Sequence, residues 1–260
     1  MPRFFIDQSI ASDQNRLVLS DSDAHHLFSV LRVARGEQVS VIDQTHTHFV
    51  CEVDEETFRD QSGQSLRILH RFQGHNEPPQ QWVLYQCLPK GDKFSEIIRH
   101  CVELGVSRVV PVSSDHSVVH LNAQKAQQKK ARWQAVALSA AKQAGRDCIP
   151  EIDDLKDIQT IIAMWQTLQR EEGHFCFVPY EAAQNADLRN HLETFCASLD
   201  GQKPVSLHFI IGPEGGFSAQ EVAAFQKAQI PLVGLGPRIL RTETAGMAVL
   251  SMLSYAFEMD

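Results

Sequence analysis

The sequence predicts an α/β protein in which a mostly parallel sheet, spanning the C-terminal two-thirds, follows a small N-terminal β-barrel domain. Three observations carry that expectation. From Gln81 onward, short apolar runs alternate with amphipathic stretches of helical period, the pattern of a parallel sheet covered on both faces. Before that, residues 1–73 hold several short strand-like runs separated by polar turns, which suits a small barrel or sandwich. Between the two lies a polar segment, Gly74-His-Asn-Glu-Pro-Pro-Gln80, of the kind that joins domains. The domains expected are therefore 1–73 and 81–260, with 74–80 as linker.

In the first region, strands are expected at Arg3–Ile6, Arg16–Leu19, Gln38–Ile42, Phe49–Val53 and Leu66–Phe72. One good helix interrupts them, from about Asp21 through His25-His26-Leu27 to Arg32, stopping near Gly36. In the second region Trp82–Leu88 reads as a strand. Lys93–Leu104 reads as a helix with Phe94, Ile97, Ile98, Cys101 and Val102 on one stripe and Gly105 at its C′ position. A strand at Val106–Val112 precedes a long helix capped by Asn122 and running to about Ala144. A short extended piece at Ile149–Ile152, a helix marked by Leu155, Ile158, Ile161, Ile162 and Trp165, a strand at Phe175–Val178 and a helix marked by Leu188, Leu192, Phe195 and Leu199 follow. Val205–Ile211 is an apolar run that reads as a buried parallel strand. Ser218, with Glu221 three residues on, forms a capping box for the next helix. Pro231–Leu235 is expected to be a strand, and the last helix to begin near Glu243.

Composition sets outer bounds. The 260 residues are 43% hydrophobic and 22% charged, ordinary for a globular chain. The six cysteines are scattered with no C-x-x-C pair, which argues against a zinc site or a disulfide framework and suits reduced thiols in a cytosol. The start of the chain has no sustained apolar core, and no apolar run approaches the roughly 20 residues of a membrane span; a cytoplasmic location with no membrane contact is expected. The net charge of −8 argues against a general nucleic-acid binder, while leaving room for a local basic face. Twelve histidines include the close pairs His25/His26, His46/His48 and His116/His120. None has an acidic or thiolate partner at ligand spacing, so no metal is expected.

Two stretches stand apart. Phe209-Ile-Ile-Gly-Pro-Glu-Gly-Gly-Phe217-Ser is a strand breaking into a glycine turn and then a capped helix. Such a turn sets free backbone N–H groups at the carboxyl edge of a sheet, where open α/β proteins bind ligands. It is neither a Walker motif nor G-x-G-x-x-G, and alone it is a weak signal. The second, Leu235-Gly-Pro-Arg-Ile-Leu-Arg-Thr-Glu-Thr-Ala245, repeats the logic with Arg238 and Arg241 three apart. Thr242 as an N-cap and Glu243 as a helix-dipole partner account for part of it. Two such turns on successive strands exceed what packing needs.

Together the two stretches closely resemble those of the bacterial 16S ribosomal RNA uracil-N3 methyltransferases of the RsmE type, in the SPOUT superfamily. Further matches are His25-His26-Leu27 with Val30-Leu31-Arg32 and Gly36, Lys90-Gly91-Asp92-Lys93, Glu103-Leu-Gly-Val106, Gln143 with Arg146 and Pro150, and Pro179-Tyr-Glu181. The resemblance implies a PUA-like RNA-binding N-terminal barrel, a SPOUT-type sheet with a deep trefoil knot, and a homodimer. S-adenosylmethionine would sit in the knot, held by Pro179, Tyr180 and Glu181, by Ile211, Gly212, Pro213, Glu214, Gly215 and Gly216, and by Leu235, Gly236, Arg238, Ile239, Leu240, Thr242 and Ala245. Two departures, Lys142 and His116 where the family usually has Glu and Arg, are expected on an RNA-facing or dimer-facing side.

The chemistry agrees with that reading. Gly212, Gly215, Gly216 and Gly236 permit close backbone approach to an adenine edge and ribose, and Ile211, Leu235, Ile239 and Leu240 can supply apolar walls. The sulfonium carries an activated methyl, so the enzyme mainly aligns donor and acceptor. Uracil N3 must lose its proton, and a cation beside the ring would stabilise the uridinate. That role is assigned to Arg241, with Glu243 as a candidate for orienting it or handling the proton. The target base must be unpaired or extruded. The RNA partner, 16S ribosomal RNA or the small subunit, is expected to meet Arg3, Arg32, Arg35, Lys90, Lys93 and Arg146. A SPOUT enzyme acting on another position such as ribose 2′-O, and a non-catalytic ribosome-assembly protein, are the alternatives.

Overall fold

The computed structural model describes residues 1–59, 64–119, 121–183 and 186–259. The chain divides into two compact units. One is residues 1–77 together with 145–148; the other is residues 78–144 and 149–260.

The first unit is built on five strands, β1 (Arg3–Phe5), β2 (Arg16–Val18), β3 (Gln38–Ile42), β4 (Thr47–Glu52) and β5 (Ser65–Gln73). They form one curled sheet in the order β1-β3-β4-β5-β2. β1 runs parallel to β3 and the remaining pairs are antiparallel, so β1 and β2 stand at the two edges and the barrel is a half-barrel. Phe4, Leu17, Val39, Val41, Phe49 and Leu66 project into its core with Leu27. Helix α1 (Asp21–His25) starts from Ser20, whose hydroxyl accepts the Asp23 N–H, and has Asp21 and Asp23 in its first turn. It widens into a π turn over His26–Val30, closed by the Leu31 N–H donating to the His26 carbonyl. Arg32 then adopts φ +54° and ends the helix short of Gly36. A second short helix, α2 (Glu55–Arg59), was not expected from the sequence. Its start is a reciprocal cap in which the Thr57 N–H donates to Asp54 and the Asp54 N–H donates to the Thr57 hydroxyl. Arg16 pairs with Asp54 at 2.7 Å. That hydrogen bond, with those of Thr57, holds the Asp54 carboxyl well below the usual range despite partial burial.

The segment 145–148 joins this unit through polar contacts. Glu77 accepts the Asp147 N–H at 2.7 Å and pairs with Arg146, while His48 Nε2 meets Asp147 Oδ1 at 2.7 Å. Asp147 Oδ2 accepts the Asn76 N–H at 2.7 Å. Gly74–Gln80, expected as a linker, therefore begins with residues anchored in the first unit.

The second unit holds a seven-stranded sheet. Its strands are β6 (Gln81–Cys87), β7 (Arg108–Ser113), β8 (Glu151–Ile152), β9 (Lys156–Asp157), β10 (His174–Pro179), β11 (Ser206–Ile211) and β12 (Leu232–Val233). The order is β12-β10-β11-β6-β7-β8, with β9 also on β7, and every pairing is parallel. All six residues of β11 are buried, as a central parallel strand requires. Helices α3 (Lys93–Glu103), α4 (Ala123–Ala144), α5 (Ile158–Leu168), α6 (Leu188–Ala197), α7 (Ala219–Lys227) and α8 (Thr242–Phe257) complete the unit. α3 buries the stripe Phe94, Ile97, Ile98, Cys101 and Val102. It ends at Gly105, where φ is +93° and a Cβ would lie 2.7 Å from Pro78 and 3.0 Å from Trp82. Leu155 lies outside α5 because Asp157 caps that helix by accepting the Thr160 N–H. β12 is shorter than Pro231–Leu235, since only Leu232 and Val233 pair with β10. Among the described residues, no helix is long and apolar enough to cross a membrane.

Candidate functional site

Three neighbouring parallel strands, β12, β10 and β11, end at one edge of the second sheet. Their carboxyl ends deliver three loops to the same place: Pro179–Glu181, Ile211–Phe217 and 234–240. These loops line a cleft of about 100 Å³ with Thr242 and Ala245 from the start of α8. A second chamber of about 440 Å³ adjoins it, sharing Glu181, Pro213, Gly216, Ile239, Leu240 and Thr242 and adding Lys93, Glu214, Arg241 and Glu243.

The first loop is held from several sides. Thr242 Oγ1 donates to the Gly212 carbonyl at 2.6 Å and accepts from Gln86 Nε2 at 2.9 Å. Thr242 and Gln86 are both buried, so this chain ties the end of β11, the end of β6 and the first turn of α8 together. The Gly216 N–H donates to the Pro213 carbonyl at 2.9 Å. Gly216 has φ +67°, which a side chain would strain. At the end of the loop the expected capping box is present: the Glu221 N–H donates to Ser218, and the Ser218 N–H donates back to Glu221. The second oxygen of Glu221 accepts the Asp115 N–H at 2.9 Å, and the Ser218 hydroxyl donates to Asp115 at 2.6 Å. His116 Nδ1 lies 3.0 Å from the Gly215 carbonyl and 3.2 Å from that of Gly216. His116, expected on an RNA-facing or dimer-facing side, is exposed and braced against the first glycine loop.

The second loop is more open. Gly234 is fixed through its N–H to the Ala186 carbonyl at 2.7 Å, but Gly236, Pro237, Arg238 and Ile239 are exposed. Ile239 is 82% exposed at the lip of the cleft, an unusual place for an isoleucine unless a ligand covers it. Arg241 sits in extended backbone at the N-cap of α8 with no side-chain capping bond, and its guanidinium is without a partner among the described residues.

Most of the expected cofactor residues converge on the cleft: Pro179, Tyr180, Glu181, Ile211, Gly212, Pro213, Gly216, Leu235, Gly236, Arg238, Ile239, Leu240, Thr242 and Ala245 all line it. Glu214 faces the adjoining chamber. Gly215 lines neither cavity and backs onto His116, whose Cβ would be 3.2 Å from a Cβ placed at that glycine. Phe217, Gly234 and Pro237 also line the cleft and were missed. Phe217 was readable as the apolar residue closing the glycine turn, and Gly234 and Pro237 as neighbours of the second motif.

Arg241 and Glu243 lie in the same chamber, but Glu243 reaches Lys93 rather than Arg241. Lys93 Nζ stands 3.4 Å from Glu243 and 3.3 Å from Glu214. The hydrogen bond that Lys93 donates to Glu214 raises the lysine pKa above its ordinary value, and Glu243 adds to it. Burial pushes the Glu214 carboxyl up, yet its own N–H, the Lys90 N–H and Lys93 together bring it below the usual range.

The other residues expected on RNA differ in how far they are committed to partners within the chain. Arg146 is 3% exposed, and its guanidinium is committed to Glu77 at 3.0 Å, a bond that keeps it charged despite burial. Arg3 donates to the Arg146 carbonyl at 2.8 Å. Arg35 pairs with Glu55 at 2.8 Å. Arg32 and Lys90 are exposed. No cluster of three or more His, Cys, Asp or Glu suited to a metal occurs among the described residues; His120 lies outside them.

Comparison with known proteins places this geometry. The RNA methyltransferase domain family matches residues 76–254, and the RNA methyltransferase PUA domain family matches residues 19–59. The chain is 31% identical over 261 residues to the ribosomal RNA small subunit methyltransferase E of Bacillus subtilis (strain 168), covering 100% of this chain and 98% of that one. The methyltransferase E of Neisseria gonorrhoeae, solved bound to S-adenosyl methionine, superimposes with a TM-score of 0.81 at 26% identity, covering 99% of this chain and 98% of that one. A Legionella pneumophila structure in complex with the same cofactor gives 0.79 at 26% identity, covering 98% and 97%.

Proposed function

The chain belongs to the ribosomal RNA small subunit methyltransferase E family, and from that premise we propose that it transfers the methyl group of S-adenosylmethionine to N3 of one uridine in 16S ribosomal RNA. The observation that carries the proposal is the pair of adjoining cavities at the strand edge. One is walled by close-approaching backbone and apolar side chains, and the other holds an unpartnered arginine.

The division of labour follows from the residues. The Ile211–Phe217 loop and the second loop enclose the adenosine portion, with backbone N–H and carbonyl groups for the adenine edge and Ile211, Leu235, Ile239 and Leu240 as apolar walls. Glu181, exposed beside Gly216 and bordering both cavities, suits the hydroxyls or the amino group of the cofactor. A cofactor held by the first cleft would offer its methyl to the adjoining chamber, where Lys93, Arg241 and Glu243 line the space that would receive the extruded uracil. N3 loses its proton, and the Arg241 guanidinium stabilises the charge that develops on the ring. Bound cofactor thus supplies the methyl, while the chain supplies alignment and a cation.

The same membership supports a homodimer, a cytoplasmic site of action, a deep trefoil knot in the second unit and a PUA-like RNA-binding role for the first. The anchoring of Thr242 at the Gly212 carbonyl is consistent with the knot. No metal is needed, because the sulfonium is already activated. On the RNA side, Arg32, Arg35 and Lys90 are the cations exposed enough to meet phosphates.

The test is in vitro transfer. Purified protein, cofactor with a labelled methyl, and either 16S RNA or isolated small subunits are incubated, and the RNA is digested to nucleosides. Label in 3-methyluridine is expected. Label in a 2′-O-methylated nucleoside would move the activity to ribose, and no transfer together with no cofactor binding would leave an assembly protein.

A further inference from the structure

Lys93 is the first residue of α3, and its ammonium stands between two carboxylates that line the acceptor chamber, Glu214 Oε1 at 3.3 Å and Glu243 Oε1 at 3.4 Å. These partners lie 121 and 150 residues away in sequence. Glu214 is itself positioned by the Lys90 backbone N–H at 3.2 Å. All four side chains of this arrangement, Lys93, Glu214, Arg241 and Glu243, border the same cavity. The lysine side chain keeps 39% of its surface exposed, and with two of its three N–H donors taken by the carboxylates the third is left for the chamber. Half-exposed ion pairs of this kind add little to stability. Two carboxylates holding one ammonium in place therefore do more for position and charge than for folding.

We propose that Lys93 is a second base-reading cation of the site, whose ammonium donates to one of the carbonyl oxygens flanking uracil N3 while Arg241 serves the other. This rests on the uracil-N3 reading. Uracil presents oxygen, N–H and oxygen along its pairing edge, and on losing the N3 proton it spreads the negative charge over both oxygens and the nitrogen. Cations at the two oxygens lower the cost of deprotonation while leaving the in-plane lone pair of N3 free for the methyl. The N3–H bond breaks and its proton leaves to solvent through the open chamber. The N3–CH₃ bond forms as the S–CH₃ bond breaks, and the sulfonium becomes a neutral thioether. Cytosine would set an amino group against one of these donors in place of O4. The same pair therefore selects uracil by leaving the wrong base with a donor facing a donor.

The experiment is single-turnover methyl transfer over a pH series with full-length wild type, Lys93→Met, Lys93→Arg and Glu214→Gln, each checked for cofactor binding by calorimetry. Lys93→Met is expected to bind cofactor like wild type and to lose on the order of 10²-fold in rate at neutral pH. Its rate should climb at higher pH than that of wild type. RNA carrying 5-fluorouridine at the target, whose N3 is more acidic, should restore most of the loss. Lys93→Arg should retain most of the rate, and Glu214→Gln, which loosens the lysine without removing it, should shift the profile in the same direction by less. A wild-type rate in Lys93→Met overturns the proposal, as does a loss that is equal at every pH and untouched by 5-fluorouridine; either result makes Lys93 a tie between two loops. If Lys93→Met fails to bind cofactor, the Glu214→Gln profile decides: an unshifted one overturns the proposal. Failure of the broader reading would look different, because wild type itself would then put no methyl on N3.

Discussion

The two loops that face each other across the cofactor cleft are built on opposite plans. Ile211–Phe217 is braced by Thr242 at the Gly212 carbonyl, by His116 at the Gly215 and Gly216 carbonyls, and by the Ser218–Glu221 cap behind it. The loop from Gly234 to Arg241 is tied at its two ends, through Gly234 to Ala186 and Leu188 and through the Arg241 carbonyl to Thr244 and Ala245, with four exposed residues in succession between them. The difference teaches where each function resides. On the proposed reading, the loop that cradles cofactor is pre-formed by hydrogen bonds that need no ligand, and the loop that would close over it and meet an RNA base keeps an arginine without a partner among the described residues.

The largest test of that contrast is Arg241→Ala. Loss of the charge-stabilising group should lower the transfer rate by about 10²–10³-fold while calorimetry shows cofactor affinity little changed. Equal loss of affinity and rate would erase the division between the two loops. Next comes the strand beneath the first loop. His208 on β11 hydrogen-bonds Ser206 at 2.6 Å and faces Tyr85 at 3.3 Å, and burial, with His174 and Arg108 nearby, lowers its pKa from 6.5 to about 4. Between those values the unfolded chain binds a proton that the folded chain refuses, so stability should fall as pH drops from about 6.5 to about 4 and then level off. The loss amounts to about 3 kcal/mol. Denaturant midpoints measured against pH, flattened in His208→Gln, check it.

Thr242→Val sharpens the comparison from the braced side. It strips the partner from the Gly212 carbonyl and from the buried Gln86 amide, at an expected cost of about 1–3 kcal/mol in denaturant unfolding, with weaker cofactor binding as the loop relaxes. Ile239→Ser tests the open side and should move stability least, within about 0.5 kcal/mol. Its signature is a cofactor affinity lowered by about tenfold, the worth of an apolar side chain covered only by ligand.

Local chemistry made much of this legible beforehand. Ser218 and Glu221 announced the cap of α7, Asn122 the start of α4, and Gly105 the end of α3, because each signal is complete within a few residues. Parallel strands such as β11 were visible as unbroken apolar runs. What escaped depends on partners far along the chain. Lys93 and Arg146 read as surface cations for RNA, yet their carboxylates come from Glu214 and Glu243 in one case and Glu77 in the other. The two-residue β9 and the five-residue α2 are too short for any period to register. His116 shows the same dependence: the carbonyls it meets, those of Gly215 and Gly216, lie about a hundred residues downstream.

The account stands or falls on what the open loop does to RNA. Nucleoside mapping of 16S ribosomal RNA from a strain lacking this gene, complemented with either wild type or Arg241→Ala, addresses it directly. The account predicts that the deletion removes a single 3-methyluridine, that wild type restores it, and that Arg241→Ala leaves it largely absent although the protein is present and binds cofactor. A 3-methyluridine that persists in the deletion strain, or a restored methyl found on ribose, would contradict it.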